Sequence, residues 1–276
     1  KALRRGTPHV RLGVIHPIES YWLYWGPKNQ TSGIREEMDE NFDKLIKWLL
    51  FGTVDFDFIS EALLPDLNKG TQDGRTLTVG CMHYDQILVP NCKTLRSTTL
   101  EILEKFQEAG GTPLFAGEIP SLEDAIPSER GQKLAEKCTR IPFGKMPLLK
   151  ALSPIRDVEI LEADGTASQN LIYQMREEGE NRWLFLSHVY RTYEKNHQTA
   201  NEDLSFAEQI QLTLTGIWTP TQYDAMTGEI RPIPVSYTGD GKTVIQDTLY
   251  GQDSRLFFLV AGAKPLAHTF PSSEPG

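Results

Sequence analysis

Along the first half of the chain, short apolar runs alternate with longer stretches in which apolar residues return every three or four positions. Residues 10–15 form an apolar run rich in β-branched side chains, closed by His16 and Pro17, and read as a buried strand. After a long loop, Ile34, Met38, Phe42, Leu45 and Leu49 recur at helical spacing, and Gly52 stops the stripe. Glu36, Glu37 and Asp39 sit in its first turns, where the helix dipole favours acids. Residues 56–59 and 87–89 are further strand candidates, the latter closed by Pro90. Thr98 and Glu101 fit a capping box that opens a helix through Leu103 and Phe106, ended by Gly110-Gly111. Residues 112–116 then make a fourth strand. Short apolar strands between amphipathic helices predict a parallel sheet covered on both faces. The expected first domain, residues 1–165, is therefore α/β, doubly wound and flavodoxin-like.

From about residue 168 the period drops to two. Ile210, Leu212 and Leu214 alternate with Gln211, Thr213 and Thr215, as on a half-buried antiparallel strand. Leu171, Tyr173 and Met175 repeat the pattern, and residues 183–190 form another strand-like run. Thr227-Gly228, Gly239-Asp240-Gly241 and Gly251 punctuate the rest at hairpin spacing. These features predict an all-β antiparallel domain over residues 166–264. Residues 265–276, rich in proline and serine, read as a linker or disordered tail.

Composition narrows the partners. The 276 residues carry 28 Lys+Arg against 37 Asp+Glu, a formal charge of −9. Phosphate binding wants a basic face, so nucleic acid is not the expected partner. No apolar run approaches the ~18 to 20 residues of a membrane span, and no leader pattern opens the chain. Three cysteines, Cys81, Cys92 and Cys138, show no pairing pattern, which favours reduced thiols and a cytoplasmic setting. No cofactor or metal is expected either. There is no glycine-rich dinucleotide fingerprint after the first strand, and no C-x-x-C, H-x-x-x-H or H-E-x-x-H. Gly241-Lys242-Thr243 ends like a phosphate-binding loop, but Ser236 stands where its upstream glycine belongs, so a hairpin turn is expected.

The densest chemistry lies after the first strand, where His16, Glu19, Tyr21, Trp22, Tyr24 and Trp25 fall within ten residues. Ligands of open α/β sheets meet the carboxyl ends of the strands, where this loop emerges. Its rings serve either to stack on sugars or anchor a protein, or simply to cover the sheet end. Asp57 and Glu61, in and just after the second strand, join His16 as candidates for an acid/base or hydroxyl-binding cluster. Glu61 in the first turn of a helix capped by Ser60 is the plainer alternative. Cys81 lacks the small flanking residues that a nucleophile elbow needs and reads as a buried strand cysteine. A stand-alone hydrolase or transferase would use Cys81, or a serine that no motif marks, as nucleophile. A stand-alone glycosidase would use Asp57 and Glu61, held ~5 Å or ~6.5 to 9.5 Å apart. Trp183 and Trp218 are either sugar platforms or core residues of the β domain.

The first strand leading into His16-Pro17 and the tryptophan-bearing loop, then Asp55-Phe56-Asp57-Phe58-Ile59-Ser60-Glu61, resembles a pattern of large bacterial glycoside hydrolases. Residues 84–90, with Leu95, Thr99-Leu100 and Phe106 before Gly110-Gly111, are similar to the flavodoxin-like trimerisation domain of family 42 β-galactosidases and to modules of rhamnosidase-like enzymes. In such enzymes a small antiparallel β domain follows. The resemblance implies an accessory, oligomerising region without catalytic residues of its own. Its partners would be an upstream catalytic (β/α)₈ barrel, further copies of the chain in a homo-oligomer, and carbohydrate. A barrel takes ~250 residues, so it would lie outside this chain. His16, Glu19, Trp22, Trp25, Asp57 and Glu61 would face the barrel or the sugar pocket.

Overall fold

The computed structural model describes residues 2–189, 207–250 and 253–263. The chain divides into two compact units, Pro8–Asp157 and a second formed by Lys1–Thr7 with Val158–Gly276.

The first unit is built on five parallel strands: β1 (Leu12–Ile15), β2 (Phe56–Ile59), β3 (Gln86–Val89), β4 (Leu114–Ala116) and β5 (Thr139–Ile141), in spatial order β5-β4-β3-β1-β2. Besides a single helical turn at Leu64–Leu67, five helices accompany them: α1 (Ile18–Leu23), α2 (Lys28–Phe51), α3 (Ser97–Glu108), α4 (Arg130–Glu136) and α5 (Lys145–Leu152). Successive strand residues face opposite sides, so the apolar runs fill two cores. Leu12, Val14, Leu88 and Leu114 pack with Leu45 and Leu49 of α2 and Leu148 and Leu152 of α5. Ile15, Ile59, Ile87 and Phe115 pack on the other side with Leu103 and Phe106 of α3 and Leu134 of α4. Each such side chain contributes about 1.5–3 kcal/mol on burial.

Several elements depart from the sequence expectations. The segment after β1 is not a plain loop, because Pro17 sets up the short helix α1. Helix α2 starts at Lys28, behind Pro27, rather than near Ile34; Thr31 Oγ1 donates to the Pro27 carbonyl at 3.1 Å. The capping box of α3 does not form. The helix begins at Ser97 with no side-chain cap of its own, and Glu101 instead takes Lys105 one turn on, at 2.6 Å. Between β2 and β3 the chain crosses through a three-stranded antiparallel sheet of Asn68–Gln72, Thr76–Val79 and Met82–Tyr84. Edge strand β5 escaped notice because Thr139 and Arg140 are exposed and only Ile141 packs inward.

The second unit is a sandwich. One sheet runs Thr7–Pro8, β7 (Leu171–Glu178), β8 (Asn181–His188), β14 (Ser254–Ala261), β10 (Trp218–Tyr223), β11 (Ile230–Pro232). The other runs β6 (Val158–Glu162), β9 (Ala207–Thr215), β13 (Lys242–Tyr250), β12 (Ser236–Tyr237). Val158, Leu212 and Ile245 meet Leu184, Leu186 and Phe257 in one core between the sheets. Because β6 pairs with β9, this unit starts before residue 166. The segment 239–243 is a hairpin turn, closed by the Thr238 N–H on the Lys242 carbonyl at 3.0 Å and by an Asp240–Lys242 ion pair at 2.8 Å. The Gly251 turn and residues 265–276 lie outside the described residues.

Candidate functional site

At the carboxyl end of the parallel sheet, β1 stands where the chain order reverses, between β2 on one side and β3 on the other. This is the position at which open α/β sheets leave a crevice. The His16 N–H extends the ladder to the Ile59 carbonyl at 3.0 Å, and Pro17 turns the chain into α1. Ser20, wholly buried in that helix, joins it to the segment after β3. Its Oγ accepts the N–H groups of Lys93 at 2.9 Å and Thr94 at 3.2 Å. The loops after β1 and β3 are thereby held as one rim.

Two cavities open along different faces of α1. One, of about 320 Å³, is lined by His16, Tyr21, Asn41, Phe42, Asn91 and Phe143 among others. The other, of about 360 Å³, is lined by Glu19, Trp22, Thr94, Arg96 and Asp124 among others. The apolar stripe of α2 is divided accordingly. Leu45 and Leu49 are core residues, whereas Met38 and Phe42, one to two turns earlier, are half-buried at the first cavity. His16 lies edge-on to Phe42 and Phe58, both ring centroids 5.3 Å away, and burial holds its imidazole below the usual range.

The candidate carboxylates have separate occupations. Glu19 takes the Arg96 guanidinium at 2.6–2.7 Å. Glu61 is buried, its Oε2 accepting the Arg96 main-chain N–H at 2.8 Å, and burial pushes its carboxyl up. Arg96 thus ties Glu19 and Glu61 into one group. Asp57 stands apart, in mid-strand, accepting the Tyr84 hydroxyl at 2.9 Å. Tyr84 reaches it across Gly13, where a Cβ would come within 3.1 Å of the Tyr84 ring. Neither Asp57 nor Glu61 lines either of the two cavities. Trp22 is 55% and Trp25 72% exposed, the latter with Arg35 stacked 5.3 Å from its ring centroid.

Cys81 is exposed rather than buried, because Gly80-Cys81 is the two-residue turn of the hairpin that pairs Val79 with Met82. Its nearest histidine in sequence, His83, is bonded to Thr78 Oγ1 at 3.0 Å. In the β unit, Trp183 and Trp218 are both buried. Their Nε1 groups donate to Glu178 Oε2 and to the Thr215 carbonyl, each at 2.7 Å. Among the described residues no group of three or more His, Cys, Asp or Glu side chains could hold a metal ion, and no helix is long and apolar enough to cross a membrane.

Sequence reasoning missed Asn91, Arg96 and Asp124. They reach this rim only through the strand order, from segments with no marked composition; Asp124 sits at positive φ (49°) and its Oδ1 accepts the Ser97 N–H at 3.0 Å.

No family model and no curated protein sequence matches the chain. Solved structures do. A rhamnosidase from Novosphingobium sp. PP1Y matches 95% of this chain at TM-score 0.61 and 15% identity, over 23% of its own length. An α-L-fucosidase isoenzyme 2 from Paenibacillus thiaminolyticus matches 94% at TM-score 0.53 and 10% identity, over 50% of its length. The GH42 β-galactosidase Gan42B from G. stearothermophilus matches 91% at TM-score 0.52 and 9% identity, over 40% of its length. The chain therefore shares its fold with portions of glycoside hydrolase chains, and it spans half or less of each of these three.

Proposed function

We propose that this chain is a non-catalytic accessory region of a larger glycoside hydrolase. Its first unit is a doubly wound, flavodoxin-like domain of the kind that trimerises family 42 β-galactosidases, and its second is the β domain that follows. The catalytic barrel lies outside the chain. The observation that carries this reading is joint: both units together match stretches of larger chains called rhamnosidase, fucosidase and β-galactosidase. The strand order 2-1-3-4-5 supports the flavodoxin-like assignment. The engagement of Asp57 by Tyr84 and of Glu61 by Arg96 supports the absence of a catalytic pair. Trp22 and Trp25, with Leu23 between them, form the contact surface for the barrel, and His16 and Glu19 hold the rim from which they project. Aromatic anchors of this kind dominate interface energetics. The first unit is also the element through which copies of the whole enzyme associate.

The test is a hydrolysis screen of the purified chain on aryl glycosides, beside a longer protein that includes the upstream sequence. Turnover is expected only with the longer protein. Turnover by the chain alone, abolished by Asp57→Asn or Glu61→Gln, overturns the reading.

A further inference from the structure

The cavity of about 320 Å³ between α1, α2 and the segment after β3 holds polar groups that the fold does not use. Asn41 lies within α2, where asparagine is a poor helix former, and its side chain forms no hydrogen bond with a described residue. It interrupts the polar-to-apolar order of a stripe whose neighbours Met38 and Phe42 line the same space. Asn91 is oriented from behind, because its Oδ1 accepts the Glu118 main-chain N–H at 2.8 Å. That bond assigns the amide, so the Nδ2 group, with two N–H donors, is left without an acceptor among the described residues. The walls are the rings of Tyr21, Phe42 and Phe143. Among the described residues no lysine or arginine lines the cavity. Its volume falls at the small end of the ~300–1,000 Å³ range of ligand sites.

We propose that this cavity binds a neutral, hydroxyl-rich ring of monosaccharide size, with Phe42 and Tyr21 as apolar walls and the side-chain amides of Asn41 and Asn91 as its hydrogen-bonding groups. A pyranose presents an apolar face of C–H groups to aromatic rings and a perimeter of hydroxyls that both donate and accept. Side-chain amides answer both roles at once, whereas a phosphate or carboxylate would find no cation here and would face Asp39 at the margin. The proposal goes beyond the accessory reading and fails separately from it. A chain that contacts no barrel still binds the sugar, and a chain that contacts the barrel need not.

The test is isothermal titration of the full chain with methyl β-D-galactopyranoside, L-rhamnose, L-fucose, D-glucuronate, riboflavin and flavin mononucleotide. Binding of at least one neutral sugar is expected, with D-glucuronate and flavin mononucleotide weaker. Asn91→Asp keeps the oxygen that holds Glu118 and replaces only the donor group. It is expected to weaken the sugar about tenfold at an unchanged melting temperature. Asn41→Leu, which favours the helix, is expected to do the same without loss of folding. The proposal is overturned if no neutral sugar binds at 50 mM, if either flavin binds more tightly than every sugar, or if both variants bind as the parent does.

Discussion

Glu61 Oε2 accepts the main-chain N–H of Arg96 at 2.8 Å, so a carboxylate from the end of β2 caps the start of α3. Asp124 does the same for the next residue, taking the Ser97 N–H at 3.0 Å. Two residues distant in sequence thus supply what the local Thr98–Glu101 pair does not, and both use the favourable field at a helix start.

This arrangement separates two Glu61 variants. Glu61→Ala leaves the Arg96 N–H without this partner and is expected to cost about 0.5–2 kcal/mol at acid pH. Glu61→Gln retains an oxygen acceptor and removes the charge. Burial raises the folded-state value for Glu61, so the folded protein holds its proton where the unfolded chain has lost it. The resulting stability is complete below the ordinary carboxylate range and declines as pH rises through the raised value. Chemical denaturation at acid and neutral pH should therefore find both variants gaining on the parent as pH rises, with Glu61→Ala below Glu61→Gln throughout. Parallel pH profiles for parent and Glu61→Gln would refute the assignment.

Asp55 offers the same test with a defined window. Its carboxyl, just before β2, is pushed up to about 6, chiefly by burial and despite the Phe56 N–H that Oδ1 accepts at 3.0 Å. The proton is bound more tightly in the folded state, so stability is lost as pH climbs from about 4 to about 6. Asp55→Asn keeps the Phe56 contact and cannot ionise. At pH 8 it should exceed the parent by about 1–2 kcal/mol, the full linkage value being reduced by partial access to water. At pH 3.5 the two should coincide in urea unfolding midpoints.

How far the fold is legible in the sequence follows from where burial is two-sided. β1, β3 and β4 are short apolar runs because both of their faces are buried, and they read as strands without tertiary knowledge; β2, on one edge, carries Asp57 in mid-strand and buries only Ile59. Strand β5, on the sheet edge, carries no such run, and the antiparallel crossover is written in turn residues such as Asp73-Gly74. The β unit was legible through its period of two, since one face of each sheet meets the core. At the rim, His16, Glu19 and Trp22 stood out by composition. Their partners did not, because Asn91, Arg96 and Asp124 arrive through strand order, and no local pattern encodes strand order. The Asp57–Tyr84 bond belongs to the same class: Tyr84 is delivered by the antiparallel crossover, across the space that Gly13 leaves open.

The thiols should report this architecture directly. Cys81 is exposed in its hairpin turn, Cys138 is half-buried with its thiol pushed up to about 11, and Cys92 is buried with its thiol pushed further up. The thiolate is the reactive form, so burial slows reaction twice, by access and by ionisation. A chromogenic disulfide reagent at pH 8 should find one fast thiol in the native protein and all three after denaturation. Cys81→Ser should abolish the fast phase. A fast phase that survives in Cys81→Ser would place a second reactive thiol at the surface.

In the β unit, His188 and Glu208 form a pair with side chains only 4% and 10% exposed, Nε2 to Oε2 2.9 Å apart. The second ring nitrogen of His188 lies 3.1 Å from the Asp253 carbonyl, and Glu208 Oε1 accepts the Ser168 hydroxyl at 3.4 Å. The pair therefore joins β8, β9 and the segment ahead of β14. Removing one member strands the other: His188→Ala leaves the buried Glu208 side chain without its Nε2 partner and should cost about 1–3 kcal/mol. Replacing both residues removes the stranded polar group along with its partner. His188→Leu with Glu208→Leu should then cost less than the two single leucine variants added together, by at least about 1 kcal/mol. Urea unfolding of the parent, the two single leucine variants and the double variant closes the cycle. Strict additivity would show that the two side chains do not act on each other, and that the link between β8 and β9 is carried by the apolar core between their sheets.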